Sequence, residues 1–129
     1  MKGERNIEDF IPQRPPFVFI DTIEEVSEDR VSTRFTVPET CMLVTDGILP
    51  LAGLMENAAQ TCAVRAGTRI GYIGAIKQME VNRFPHVGET IRTTAVLVQE
   101  VLNISLMQCT ARVNEEVVAT AVLKIAVME

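Results

Sequence analysis

The segment Leu51–Ala66 constrains this chain more than any other. It is the one stretch of helical length with helical punctuation at both ends, Pro50 suiting its start and Gly67 its C′ position. Its sixteen residues make a helix roughly 24 Å long. The small residues Ala52, Gly53, Ala58, Ala59, Ala63 and Ala66 let that helix lie close against a sheet. The rest of the regular pattern reads as strand. Three prolines forbid regular structure in Ile11–Pro16, and Phe17–Asp21 follows as a short apolar strand candidate. Val31, Thr33, Phe35 and Val37 alternate with Ser32, Arg34 and Thr36, a period of two that predicts a strand with one buried face. The acidic stretch Glu24 to Arg30 reads as the turn between these two strands.

Beyond the helix, strands are predicted over Ile70–Val81, Thr90–Val101, Ile104–Val113 and Val117–Val127. Pro85–Gly88 reads as a turn and Asn114–Glu115 as a hairpin turn. The order β-β-α-β-β-β-β predicts an α+β chain, an antiparallel sheet wrapped around one central helix. It excludes a doubly wound fold, which needs helices between most strands. With 129 residues and no repeat or composition break, a single domain over 1–129 is expected.

Charge narrows the partners. Twelve basic against seventeen acidic residues give a net charge of −5. Nucleic acid and anionic membrane surfaces both require dense positive charge, so neither is expected as a partner. Residues 65–92 run the other way, with Arg65, Arg69, Lys77, Arg83 and Arg92 against two acids. They read either as solvated charges scattered over strand faces or as a basic patch for an acidic partner. One histidine and three cysteines without ligand spacing argue against a metal site, and no cofactor is expected. The start lacks the apolar run of a signal peptide and no stretch reaches membrane-spanning length. A soluble, reduced, cytoplasmic protein with buried cysteines is expected.

On the helix, Glu56, Asn57, Gln60, Thr61 and Arg65 fall in one stripe opposite Leu54, Met55, Ala59, Cys62 and Ala63. That is the wet side of an amphipathic helix, or else a site.

Three stretches together resemble the hot-dog-fold beta-hydroxyacyl-acyl-carrier-protein dehydratase family. Ile11–Asp21 is similar to the family's opening, Pro-(His or Gln)-Arg before an apolar strand ending in Asp. Pro50–Gln60 resembles the start of the central helix, with Glu56-Asn57-Ala58-Ala59-Gln60 matching the catalytic-acid segment Glu-x-x-Ala-Gln. Val87-Gly88-Glu89 resembles a Pro-Gly-Asp turn between later strands. The resemblance implies a hot-dog fold and an acyl thioester substrate carried on acyl carrier protein or coenzyme A. It also implies a site shared by two subunits. Glu56 takes the place of the acid that protonates the departing hydroxyl, and Gln60, one turn later, that of a residue holding the carboxyl. Leu51 and Ala52, at the helix N-terminus, stand where backbone N–H groups polarise the thioester carbonyl.

The family's base, a histidine fourteen residues before the acid, corresponds to Met42. A thioether takes no proton at neutral pH. The sole histidine, His86, lies in a turn and reads as solvated. Three activities therefore stay open: a dehydratase-type enzyme, a thioesterase in which Glu56 activates water, or a non-catalytic acyl-carrier-binding subunit beside a partner that supplies the histidine. The exposed strand edges of a one-helix sheet predict a homodimer joined edge to edge.

Overall fold

The computed structural model describes residues 5–66 and 70–128. After a short 3-10 turn at Ile7–Asp9 come β1 (Thr22–Val26), β2 (Arg30–Thr36), α1 (Leu51–Ala66), β3 (Ile70–Val81), β4 (Thr90–Val101), β5 (Ile104–Val113) and β6 (Glu116–Met128). The six strands form one antiparallel sheet in the order β1-β2-β4-β5-β6-β3. The sheet curls around α1, which touches β2, β3, β4, β5 and β6. This is the α+β arrangement that the pattern predicts. Gly67, expected as the helix C′ residue, lies outside the described residues, as does Arg69.

α1 begins directly after Pro50, whose carbonyl accepts from the N–H groups of Gly53 and Leu54. Gly53 is required there for close approach, because a Cβ would collide with the side chain of the fully buried Leu49. In β4 and β5 the alternation holds: Ile91, Thr93 and Ala95, with Ser105, Met107, Cys109, Ala111 and Val113, all face inward and are buried. One apolar cluster gathers Phe19, Phe35, Leu49, Leu54, Ile91 and Val118, and a second joins Ala58 and Cys62 of α1 to Met107, Cys109 and Leu123. The turn before β4 closes through Glu89 N–H donating to the His86 carbonyl, with Gly88 at φ +91°, which favours glycine.

Two expectations about the N-terminal third fail, for one reason. Phe17–Asp21 is not a strand, and Glu24–Val26 is not turn but the end of β1. The chain from Phe17 to Ile20 runs against α1, where Phe19 and Ile20 are buried. Its backbone groups bond to helix side chains instead of a neighbouring strand. Pairing with β2 starts only at Asp21, whose N–H donates to the Arg34 carbonyl. The tight turn is reduced to residues 27–29, where Ser27 N–H donates to the Arg30 carbonyl. Among the described residues no helix is long and apolar enough to cross a membrane. Strands β1 and β3 are the two sheet edges, and Ile73 on β3 is exposed.

Candidate active site

The polar stripe of α1 divides in two. Asn57, Gln60 and Thr61 are 1, 0 and 0% exposed, so the wet-face reading is wrong for these three. The Gln60 amide oxygen accepts from Phe19 N–H at 2.7 Å, and its nitrogen donates to the Phe17 carbonyl at 2.8 Å. Asn57 donates to the Phe19 carbonyl at 2.7 Å and accepts from the Thr93 hydroxyl. Thr61 donates to the Asn57 carbonyl and meets Thr33 at 2.8 Å. Buried amides with every polar group bonded act as a strand substitute for the 17–20 segment. Gln60 is therefore committed at both ends to this segment and does not hold the Glu56 carboxyl. The signal in the sequence is that these three residues are neutral hydrogen-bonding side chains, whereas a solvated helix face is ordinarily charged.

The open face is a different set. Leu51 and Ala52 are exposed, and Met55, Glu56, Ala59 and Ala63 are half-buried. Positions 52, 56, 59 and 63 fall on one side of a helix of 3.6 residues per turn. Glu56 is the one carboxylate on this apolar strip. It has no hydrogen-bond or ion-pair partner among the described residues. The N–H groups of Leu51 and Ala52, in the first turn, have no acceptor within the helix and point along its positive end. Between α1 and the sheet lies an inner cleft walled by Leu54, Ala58, Met79 and Ala121, with Asn57, Thr93 and Thr120 as its polar residues. Its space is about 10 Å³, room for one water and none for an acyl chain.

Met42 lies in the loop before α1. Cys41, Leu43 and Val44 turn onto the core, and Met42 turns away with 54% of its surface exposed. His86 comes closer to the helix start than a turn at the sheet rim suggests. Ile48 bridges to His86, Leu49 N–H donates to the Pro85 carbonyl at 2.8 Å, and Val87 N–H to the Gly47 carbonyl at 2.9 Å. The His86 side chain is exposed and no contact joins it to Glu56. The same turn is tied down by Glu89, which accepts from Arg83 at 2.7 and 2.9 Å and from His86 N–H at 2.8 Å. Arg83 first, then the His86 N–H, hold the Glu89 carboxyl down to about 2.

Among the described residues the arginines of the basic segment are dispersed into separate ion pairs. Arg65 bonds the Glu28 carbonyl, Ser105 and Glu100, Arg83 joins Glu89 and Glu116, and Arg92 joins Glu24. Cys62 and Cys109 are buried with their Sγ atoms 3.3 Å apart; their mutual hydrogen bond, then burial, push the Cys62 thiol up. Among the described residues no group of three His, Cys, Asp or Glu is placed to hold a metal.

Comparison with known proteins adds to this geometry. Residues 5–129 match the family model of ApeP-like proteins, described as ApeP dehydratase. The chain is 25% identical to a 3-hydroxyacyl-[acyl-carrier-protein] dehydratase FabZ of Levilactobacillus brevis, over 86% of this chain and 83% of that protein. The dehydratase heterocomplex ApeI:P from Xenorhabdus doucetiae superposes with a TM-score of 0.85 at 17% identity, covering 95% of this chain and 91% of that one. A hypothetical thioesterase with coenzyme A from Streptococcus pneumoniae gives 0.70 at 14% identity, over 82 and 84%. These solved structures establish the hot-dog fold. The chain belongs to the ApeP-like dehydratase family.

Proposed function

From that family membership, we propose that the chain binds a 3-hydroxyacyl thioester across the open face of α1 and serves as the acid-bearing half of a two-subunit dehydratase site. The observation that carries this is Glu56, a lone carboxylate without a partner among the described residues, on an otherwise apolar strip that the chain's own sheet leaves partly open. The inner cleft is too small for an acyl chain, which supports placing the acyl group on that strip, with a second subunit covering it.

In this reading the N–H groups of Leu51 and Ala52 polarise the thioester carbonyl, Met42 lines the substrate's path, and Glu56 protonates the departing hydroxyl. Removal of the proton from the alpha carbon needs a base that this chain does not place beside Glu56. A non-identical hot-dog subunit carrying a histidine completes the site, and the Xenorhabdus doucetiae dehydratase, described as a heterocomplex, is a precedent for a mixed assembly. The carrier is acyl carrier protein or coenzyme A, and the compartment is the cytoplasm.

Restoring the base tests the reading in the chain itself. Met42→His is expected to raise formation of the enoyl product from a 3-hydroxyacyl thioester by about 100-fold, the usual effect of a positioned base. Adding Glu56→Gln is expected to abolish the gain. No gain from Met42→His, in a variant that still binds the thioester, counts against a dehydratase site here. The alternative is a thioesterase, favoured by a carboxylate with no histidine beside it. Release of free thiol from a saturated acyl thioester, lost in Glu56→Gln, establishes that activity instead.

A further inference from the structure

The outer face of the sheet carries a second constellation, on the side away from α1. Cross-strand register sets Arg34 of β2 opposite Arg92 of β4, and Arg92 opposite Arg112 of β5. Directly paired residues share a face and lie one strand spacing apart, about 4.8 Å. All three arginines are exposed. Like charges directly opposite each other destabilise a sheet, and this row sits in a chain of net charge −5. One carboxylate answers it: Glu24 reaches Arg92 at 2.8 Å and Arg34 at 3.7 Å. Arg112 has no ion-pair partner among the described residues.

The row is also flanked by hydroxyls. Thr36 and Thr90 meet at 2.8 Å on one side, and Ser32 and Thr94 at 3.1 Å on the other. Arg34, Thr90, Arg92 and Asn114 line a hollow of about 140 Å³, some ten times the space that one water needs. Asn114, at the turn leading out of β5 with φ +55°, is the lining residue contributed by that turn.

We infer that this hollow is an anion site for a phosphate monoester group, lined by Arg34, Arg92, Thr90 and Asn114, with Arg112 beside it on the same row, one strand beyond Arg92. Forked guanidinium donors match the oxygens of a phosphate. Three guanidinium groups along this row, against Glu24 and the Asp21 carboxylate that accepts from Thr36 N–H, leave a net positive surface that attracts an anion. The sheet separates this site from Glu56, so the inference is independent of the dehydratase reading.

The test titrates the full chain with inorganic phosphate and with adenosine 3′-phosphate, ionic strength held constant with chloride, followed by amide NMR shifts. Saturable shifts confined to β2, β4, β5 and the Asn114 turn are expected. Arg112→Gln, which breaks no ion pair, is expected to weaken binding about tenfold, the effect of losing one charge-assisted hydrogen bond. Glu24→Gln is expected to tighten binding severalfold by removing the competing carboxylate. Equal affinity for both probes assigns the site to the phosphate group alone, and tighter adenosine 3′-phosphate to a nucleotide ester. Linear shifts that chloride reproduces, or binding unchanged in Arg112→Gln, overturn the inference.

Discussion

On one side of α1, Asn57, Gln60 and Thr61 are sealed from water with their hydrogen bonds made inside the chain. On the other, Leu51, Ala52, Met55, Glu56, Ala59 and Ala63 are mostly apolar and yet exposed or only half-buried. A sealed polar row beside the apolar core residues Leu54, Ala58 and Cys62, with an apolar strip left partly exposed, departs from an ordinary amphipathic helix. Two different demands produce that departure. The closed face meets a backbone segment that has no strand partner, and amide side chains supply the missing donors and acceptors. The open face is only partly covered by this chain, Ala59 and Ala63 touching the core from its side, so its apolar residues are suited to an acyl chain and a second subunit. The same stretch of helix thus holds the fold on one side and presents a reactive group on the other.

The contrast predicts how the two faces respond to substitution. Gln60→Leu leaves the Phe19 N–H and the Phe17 carbonyl without partners, and is expected to cost about 3 kcal/mol in urea unfolding. A loss under 1 kcal/mol breaks the picture of Gln60 as the strand substitute. Asn57→Ala removes one donor and one acceptor and is expected to cost about 2 kcal/mol by the same measurement.

Acid titration probes the turn that braces the leading end of the open face. Glu89 has its carboxyl held at about 2 in the folded chain, below the unfolded value of about 4.3. A lowered pKa gives stability that is fully present above the unfolded value and is lost as pH falls through the folded one. Stability is therefore expected to fall between about pH 4 and 2 by roughly 1 kcal/mol for this part-exposed pair, and Glu89→Gln to flatten that fall.

The smallest effect on stability belongs to the open face. Glu56→Gln, with no partner to lose, is expected to change unfolding free energy by less than about 0.5 kcal/mol. Ala52→Arg is expected to be equally mild for the fold, while shifting sedimentation toward the monomer. A mild Gln60→Leu beside a severe Glu56→Gln inverts the assignment of the two faces.

Much of the architecture was legible without coordinates. Pro50 marks the start of α1, and the alternation through β4 and β5 gives their bounds to the residue. Val87-Gly88-Glu89 is legible as a turn because a left-handed φ there favours glycine. Phe17–Asp21 misleads, because its apolar content is compatible with any buried extended chain. Only the identity of its hydrogen-bond partners separates strand from loop, and those partners are 38 and 41 residues away. Glu56 was legible as a candidate through its position in the helix motif. That Gln60 serves the fold and not Glu56 was not, since both lie one turn apart on the same stripe.

Local order and periodicity by themselves determined that this chain has one helix, five long or short strands correctly placed and a sixth misplaced. The resemblance of the helix segment to the dehydratase family, rather than periodicity, marked Glu56 and Met42 as the positions to watch. Tertiary structure decided which polar groups are sealed and which are presented, and aligned Arg34, Arg92 and Arg112 from three strands. Burial and cross-strand register depend on neighbours far apart in the chain. A pattern read along the sequence carries the period of an element but not the surface it meets.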